Sequence, residues 1–171
     1  MNNEMSSKSL RKKMFNAIKV SIGDRHEIKI IGDSVDIATR GNKIDLNISF
    51  SFRSKGSYSL DFGGYFGVDV KVIAIDGIVL PDVMETMVQY ASQFTDVEIE
   101  RFYSVFSSAD SSLFKIFQPH GMNYVRKQYW NYPYKESAHF DAWLEFHSQY
   151  INGFIYRFQD NPIYVFPEYF R

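Results

Sequence analysis

His26, His120, His139 and His147 are the side chains in this sequence that ordinarily titrate near neutral pH, and each could also ligate a metal ion. Their spacing argues against both roles. His139 and His147 are eight positions apart, which on a helix leaves them about 80° out of register. They therefore do not form the i, i+4 ligand pair of a helical zinc site. Asp141 and Glu145 are close in sequence to His147, but on a helix Glu145 points away from the Phe140, Trp143 and Leu144 face while His147 lies on it. His147 thus reads as a core histidine and the group as a poor acid–base constellation. His120 sits in the break Pro119-His120-Gly121, where a loop can hold a functional side chain and equally tolerates any polar residue.

Gly63, Gly64 and Gly67 are too closely spaced, and lie between strands rather than between a strand and a helix, to cradle a phosphate. They read as backbone freedom at a bend. No nucleophile elbow, Walker-type loop, dinucleotide fingerprint or kinase signature is present. Cysteine is absent, which excludes disulfides, thiolate metal sites and a thiol nucleophile. The expectation is a non-enzyme that carries no cofactor and no metal.

Two stretches suit recognition instead. Residues 72–100 hold six acids, Asp76, Asp82, Glu85, Asp96, Glu98 and Glu100, and no base. Five of these, Asp82, Glu85, Asp96, Glu98 and Glu100, fall at two expected helix starts, where they would steer a basic protein partner and would also serve as caps. The second stretch, YWNYPY, carries Tyr129, Trp130, Tyr132 and Tyr134 around Asn131 and Pro133. Aromatics in such a loop are either interface anchors or a lid packed over a core edge, and the sequence leaves both readings open. A basic cluster, Lys8, Arg11, Lys12 and Lys13, has only Phe15 nearby as an aromatic platform, and the formal net charge is −1, so nucleic acid is not the expected partner.

The elements that must position these residues follow from periodicity. KIDLNISFSF puts Ile44, Leu46, Ile48, Phe50 and Phe52 on one side of an extended chain and Asp45, Asn47, Ser49 and Ser51 on the other. Ile28/Ile30, Val35/Ile37, Tyr58/Leu60/Phe62, Val68–Val72 and the more buried VIAI run repeat that alternation, with turns at Gly32-Asp33, Arg40-Gly41-Asn42 and Asp76-Gly77. The reading is α+β: an N-terminal antiparallel sheet of five to six strands over residues 26–80, one face covered by C-terminal helices. The polar face, with Ser57 and Ser59 completing it, has neither Arg nor aromatic residues and reads as a solubility surface.

Before the sheet, residues 1–8 read as disordered and a short amphipathic helix carries Leu10, Met14, Ala17 and Ile18. After it, Asp82 with Glu85 predicts a helix bearing Met84, Met87, Val88, Ala91 and Phe94, and Thr95 with Glu98 predicts another bearing Ile99, Phe102, Tyr103 and Phe106. Shorter helices are expected over 111–117 and Met122–Trp130. Phe140, Trp143, Leu144, His147 and Ile151 form the strongest stripe, with Asn152-Gly153 as its C-cap. The segment after Gly153 fits a final β-hairpin, and a helix continuing to Phe158 fits the same spacing.

The 171 residues suit one domain, and 21 of the 30 aromatics lie beyond residue 100, so the second half carries the bulkier core. With no apolar run of membrane-spanning or signal-peptide length, no membrane partner and a cytoplasmic location are expected. In general character the chain is similar to the small single-domain immunity proteins that neutralise bacterial toxins, an analogy of type that no motif carries. Partner binding is the leading expectation. The alternative is a small-molecule-binding or hydrolytic domain with a pocket between sheet and helices, using His120 or His147.

Overall fold

A computed structural model describes residues 6–40, 44–53, 64–76, 86–88, 90–128 and 131–160. The architecture is α+β, with a mainly N-terminal antiparallel sheet packed against helices. Helix α1 (Ser7–Ile22) is opened by the Ser6 hydroxyl, which accepts the Ser9 N–H, and it buries Leu10, Met14, Ile18 and Ile22. Ser7 and Lys8, expected in a disordered leader, thus belong to the helix, and residues 1–5 lie outside the described residues. Gly23 ends it with φ 61°, a left-handed conformation that costs glycine nothing.

Strands β1 (Glu27–Ile31), β2 (Ser34–Arg40), β3 (Ile44–Arg53) and β4 (Gly64–Ile75) follow as an antiparallel meander. Val35 pairs with Phe50 and Ile37 with Ile48, and Ile48 and Phe50 pair in turn with Val70 and Val68. All six are buried while Asp36, Asn47, Ser49 and Asp69 on the other face are half-exposed, as the period of two requires. Near the far end the register slips, with Asp45 opposite Ala74 but Leu46 opposite Val72. The extra residue is Ile73, which is turned outward and 58% exposed, so within the VIAI run Val72 is buried but Ile73 and Ala74 are exposed.

The expected sheet boundary at residue 80 is also corrected. The far edge of β4 takes two later strands, β5 (Thr86–Val88) against Val70–Val72 and β6 (Asn131–Tyr134) against Gly64–Gly67. Thr86–Val88 is therefore strand and Tyr90–Gln93 a 3₁₀ turn, where an α-helix through Phe94 was expected. The open β4 edge offers ladder hydrogen bonds that local capping cannot match, and Thr and Val suit a strand. The strands expected at Tyr58–Phe62 and Ile78–Leu80, and the Asp82–Glu85 cap, lie outside the described residues.

Helix α2 (Asp96–Ala109) has the expected capping box, the Glu98 N–H donating to the Thr95 hydroxyl and the Thr95 N–H to the Glu98 carboxylate. It is followed by α3 (Ser111–Phe117), α4 (Met122–Gln128) and α5 (Ser137–Asp160). The last is one helix of 24 residues, so Phe154–Phe158 is helical and the final hairpin is not formed there. Asn152 does not cap it. Its side-chain amide donates to the Ser21 carbonyl at 2.7 Å and its oxygen accepts from Arg25 at 2.9 Å, joining α5 to the end of α1. Phe154, Ile155 and Phe158 continue the apolar stripe beyond Gly153, and that burial outweighs one glycine's low helix propensity.

Candidate functional site

His147 lies at the centre of the molecule. It is fully buried on α5 and ringed by Phe50, Phe66, Tyr132 and Phe146, all edge-on with centroids 4.4 to 5.5 Å away. Its Nδ1 is 3.3 Å from the Tyr90 hydroxyl, and its Nε2 has no hydrogen-bond partner among the described residues. Burial pulls its pKa down to about 3, so the ring is neutral at physiological pH. Beside it the Tyr150 hydroxyl donates to the Tyr90 carbonyl at 2.9 Å, and burial raises the pKa of both phenols. This is a hydrogen-bonded aromatic core with its imidazole sealed from solvent.

The other histidines are elsewhere. His139 accepts the Lys135 N–H at the start of α5, exposed His120 packs at a tilt against Tyr124 with ring centres 4.8 Å apart, and His26 precedes β1. Asp141 and Glu145 are exposed, whereas His147 is buried, so they form no group with it. Among the described residues no three of His, Asp and Glu gather in a way that could hold a metal ion.

The acidic segment is partly neutralised by bases from distant sequence. Arg126 on α4 pairs with Asp96 at 2.6 Å and also donates to the Phe94 carbonyl at 2.9 Å. Arg157 on α5 pairs with Glu98 at 3.1 Å, with its guanidinium 5.5 Å from the centre of the Tyr150 ring. Of the expected acidic contact residues, Glu100 alone is exposed with no ion pair among the described residues, while Asp82 and Glu85 fall outside them. The segment is less of a bare anionic patch than its composition implies.

The aromatic loop is corrected in the same way. Asn131–Tyr134 is strand, and Tyr132 and Tyr134 are buried, so neither is an accessible anchor. Tyr132 stacks on Phe66 at 5.2 Å and meets Trp143 edge-on at 5.0 Å, while Tyr134 packs on Phe140. Burial raises the Tyr134 phenol to about 12. Pairing with Gly64–Gly67 removes the backbone polar groups from water and lets the rings cover the sheet end, the lid reading of this stretch. Tyr129 and Trp130 lie outside the described residues.

What α2 and α5 leave on the surface is a shallow groove of about 200 Å³. Arg101, Ser104 and Val105 line one wall and Ala142, Glu145, Phe146 and Gln149 the other, with an Arg101–Gln149 hydrogen bond across it. Helical spacing extends both rows. Val97 is one turn before Arg101 and Tyr156 two turns beyond Gln149, and they are 64% and 70% exposed. Neither residue is singled out by its own segment, and the one local signal available is that Val97 lies off the Ile99/Phe102 stripe. Tyr156 was missed because its segment also fits a hairpin.

Comparison with known proteins finds no family model, no curated protein and no solved structure that matches the chain.

Proposed function

We propose that this chain is a non-enzymatic protein-binding domain, an inhibitor or toxin-neutralising protein of the immunity kind, and that it meets its partner along the α2–α5 groove. The observation that carries the reading is Tyr156, an aromatic side chain 70% exposed on α5, which helical spacing puts in line with the groove-lining Gln149, as it puts exposed Val97 in line with Arg101 on α2. Tyrosine is among the residues that most often dominate protein interfaces. Arg101, Glu145 and Gln149 add polar groups that would fix register.

The buried imidazole supports binding over catalysis. The space between sheet and α5, where the alternative reading places a small-molecule or hydrolytic pocket, is filled by Phe50, Phe66, Tyr132, Phe140 and His147. A basic partner retains Glu100 and Glu145 as attractors, with Asp96 and Glu98 engaged internally. In the basic helix Arg11 pairs with Asp33 and Lys13 with Asp141, and Phe15 packs toward the core, which weakens the case for nucleic acid. No helix among the described residues is long and apolar enough to cross a membrane.

Photo-crosslinking tests the surface. A crosslinker placed at Tyr156 should trap a discrete protein from the native cell, and the same group at Ser49 on the opposite sheet face should not. Trapping the same protein only from Ser49 would put the contact on the sheet and reject the groove.

A further inference from the structure

Strand β1 is the outer edge of the sheet, with β2 on one side and no strand on the other among the described residues. The β1–β2 hairpin closes through Ile31 and Ser34 around Gly32 and Asp33. In such a turn the carbonyl of the first residue bonds the N–H of the fourth. The backbone groups of Ile31, Lys29 and Glu27 therefore point toward β2, and those of Ile28 and Ile30 point outward along the free edge. Ile30 and Ile31 are 46% and 56% exposed, so the edge is apolar as well as unpaired. Natural sheets cover or charge such an edge because it templates pairing with another strand.

We propose that this edge pairs with the same edge of a second copy of the chain, antiparallel and centred on Ile28, joining two sheets into one. A two-fold axis perpendicular to the sheet keeps each residue opposite one of the same face, so only registers whose paired positions sum to an even number are allowed. Centring on Lys29 sets two lysines face to face, centring on Glu27 sets two glutamates face to face, and centring on Ile30 sets Glu27 against Asp33. Centring on Ile28 sets Glu27 of each copy opposite Lys29 of the other, twice, and places Ile30 over His26 of the other copy. That register also hydrogen-bonds Ile28 to Ile28 through the outward backbone groups, as an antiparallel ladder demands. Within one copy Lys29 and Glu27 already pair at 2.5 Å with both side chains more than half exposed, so dimerisation only exchanges partners. Centring on Ile31 would set Lys29 against Asp33, but Asp33 lies in the turn and is held by Arg11, so the Ile28 register is the one in which charges of the strand itself complement each other. The five-residue strand makes the dimer weak, in the micromolar range or above.

Sedimentation equilibrium from about 1 to about 200 µM chain tests this. Wild type should pass from monomer to dimer in that range. Lys29→Glu should raise the dissociation constant roughly tenfold or more, since both cross-strand pairs become repulsive, and so should Glu27→Lys alone. The double swap Glu27→Lys/Lys29→Glu should restore the dimer, and the two single variants mixed should form a heterodimer. Circular dichroism verifies that each variant, altered only at exposed edge positions, keeps its fold. A wild type monomeric throughout, a dimer indifferent to Lys29→Glu, or no recovery in the double swap would each overturn the proposal.

Discussion

The indole N–H of Trp143 donates to the carbonyl oxygen of Pro133 at 2.8 Å, and both residues are buried. One hydrogen bond thus fastens the short strand β6 to the long helix α5. Trp143 is also 5.5 Å from Phe102 on α2 and 5.0 Å from Tyr132, so one side chain joins two helices and the sheet end.

Trp143→Ala should destabilise the protein by roughly 3–5 kcal/mol, the usual penalty for emptying a large aromatic site. Trp143→Phe keeps much of the volume but orphans the Pro133 carbonyl, and should cost about 1–3 kcal/mol. Urea denaturation followed by circular dichroism measures both. A Trp143→Ala variant unfolding at the wild-type midpoint would contradict this packing.

His147 makes the fold acid-sensitive. In the unfolded chain its pKa is near 6.5, and in the folded protein it is held down to about 3. Above pH 6.5 both states are neutral and nothing is lost. As pH falls below 6.5 the unfolded chain takes up a proton that the folded chain refuses, so stability drops by up to about 1.4 kcal/mol per pH unit, levelling off near pH 3. His147→Phe should flatten the dependence of unfolding free energy on pH between 6.5 and 4, whatever its stability at pH 7.5. An unchanged slope would show that other groups set it.

Gly64 faces the ring of Tyr134 so closely that a Cβ there would come within 2.8 Å of its hydroxyl and 2.9 Å of two ring carbons. Gly64→Ala should therefore cost about 1–3 kcal/mol by overpacking. In the Tyr134→Ala background, where the ring is gone, the same glycine change should cost markedly less. A double-mutant cycle on thermal melts reads the coupling.

The Glu98–Arg157 pair holds the start of α2 against α5 while Glu98 also completes the capping box. Thr95→Ala should cost about 1 kcal/mol through the lost cap. Glu98→Gln retains a capping acceptor but removes the charge opposite partly buried Arg157, and should cost about 1–2 kcal/mol. Its loss should shrink at high salt in a way that the Thr95→Ala loss does not.

The local patterns settled the parts of this molecule that local physics governs. The alternation Ile44–Phe52 specifies a strand with one apolar face because side chains alternate every residue. The Thr95/Glu98 box specifies where α2 begins because its bonds span three residues. The stripe Phe140–Ile151 specifies a helix and makes His147 a core residue, since anything on that face goes inward. Tertiary structure decided what depends on a partner far along the chain. Thr86–Val88 and Asn131–Tyr134 become strands because β4 offers a free edge to both, and no short-range signal encodes that edge. Asp96 and Glu98 lose their bare charge to Arg126 and Arg157, which are 30 and 59 positions away in sequence. The groove exists only where α2 and α5 lie side by side, so Arg101 and Gln149, 48 positions apart in sequence, meet across it through the packing of two helices.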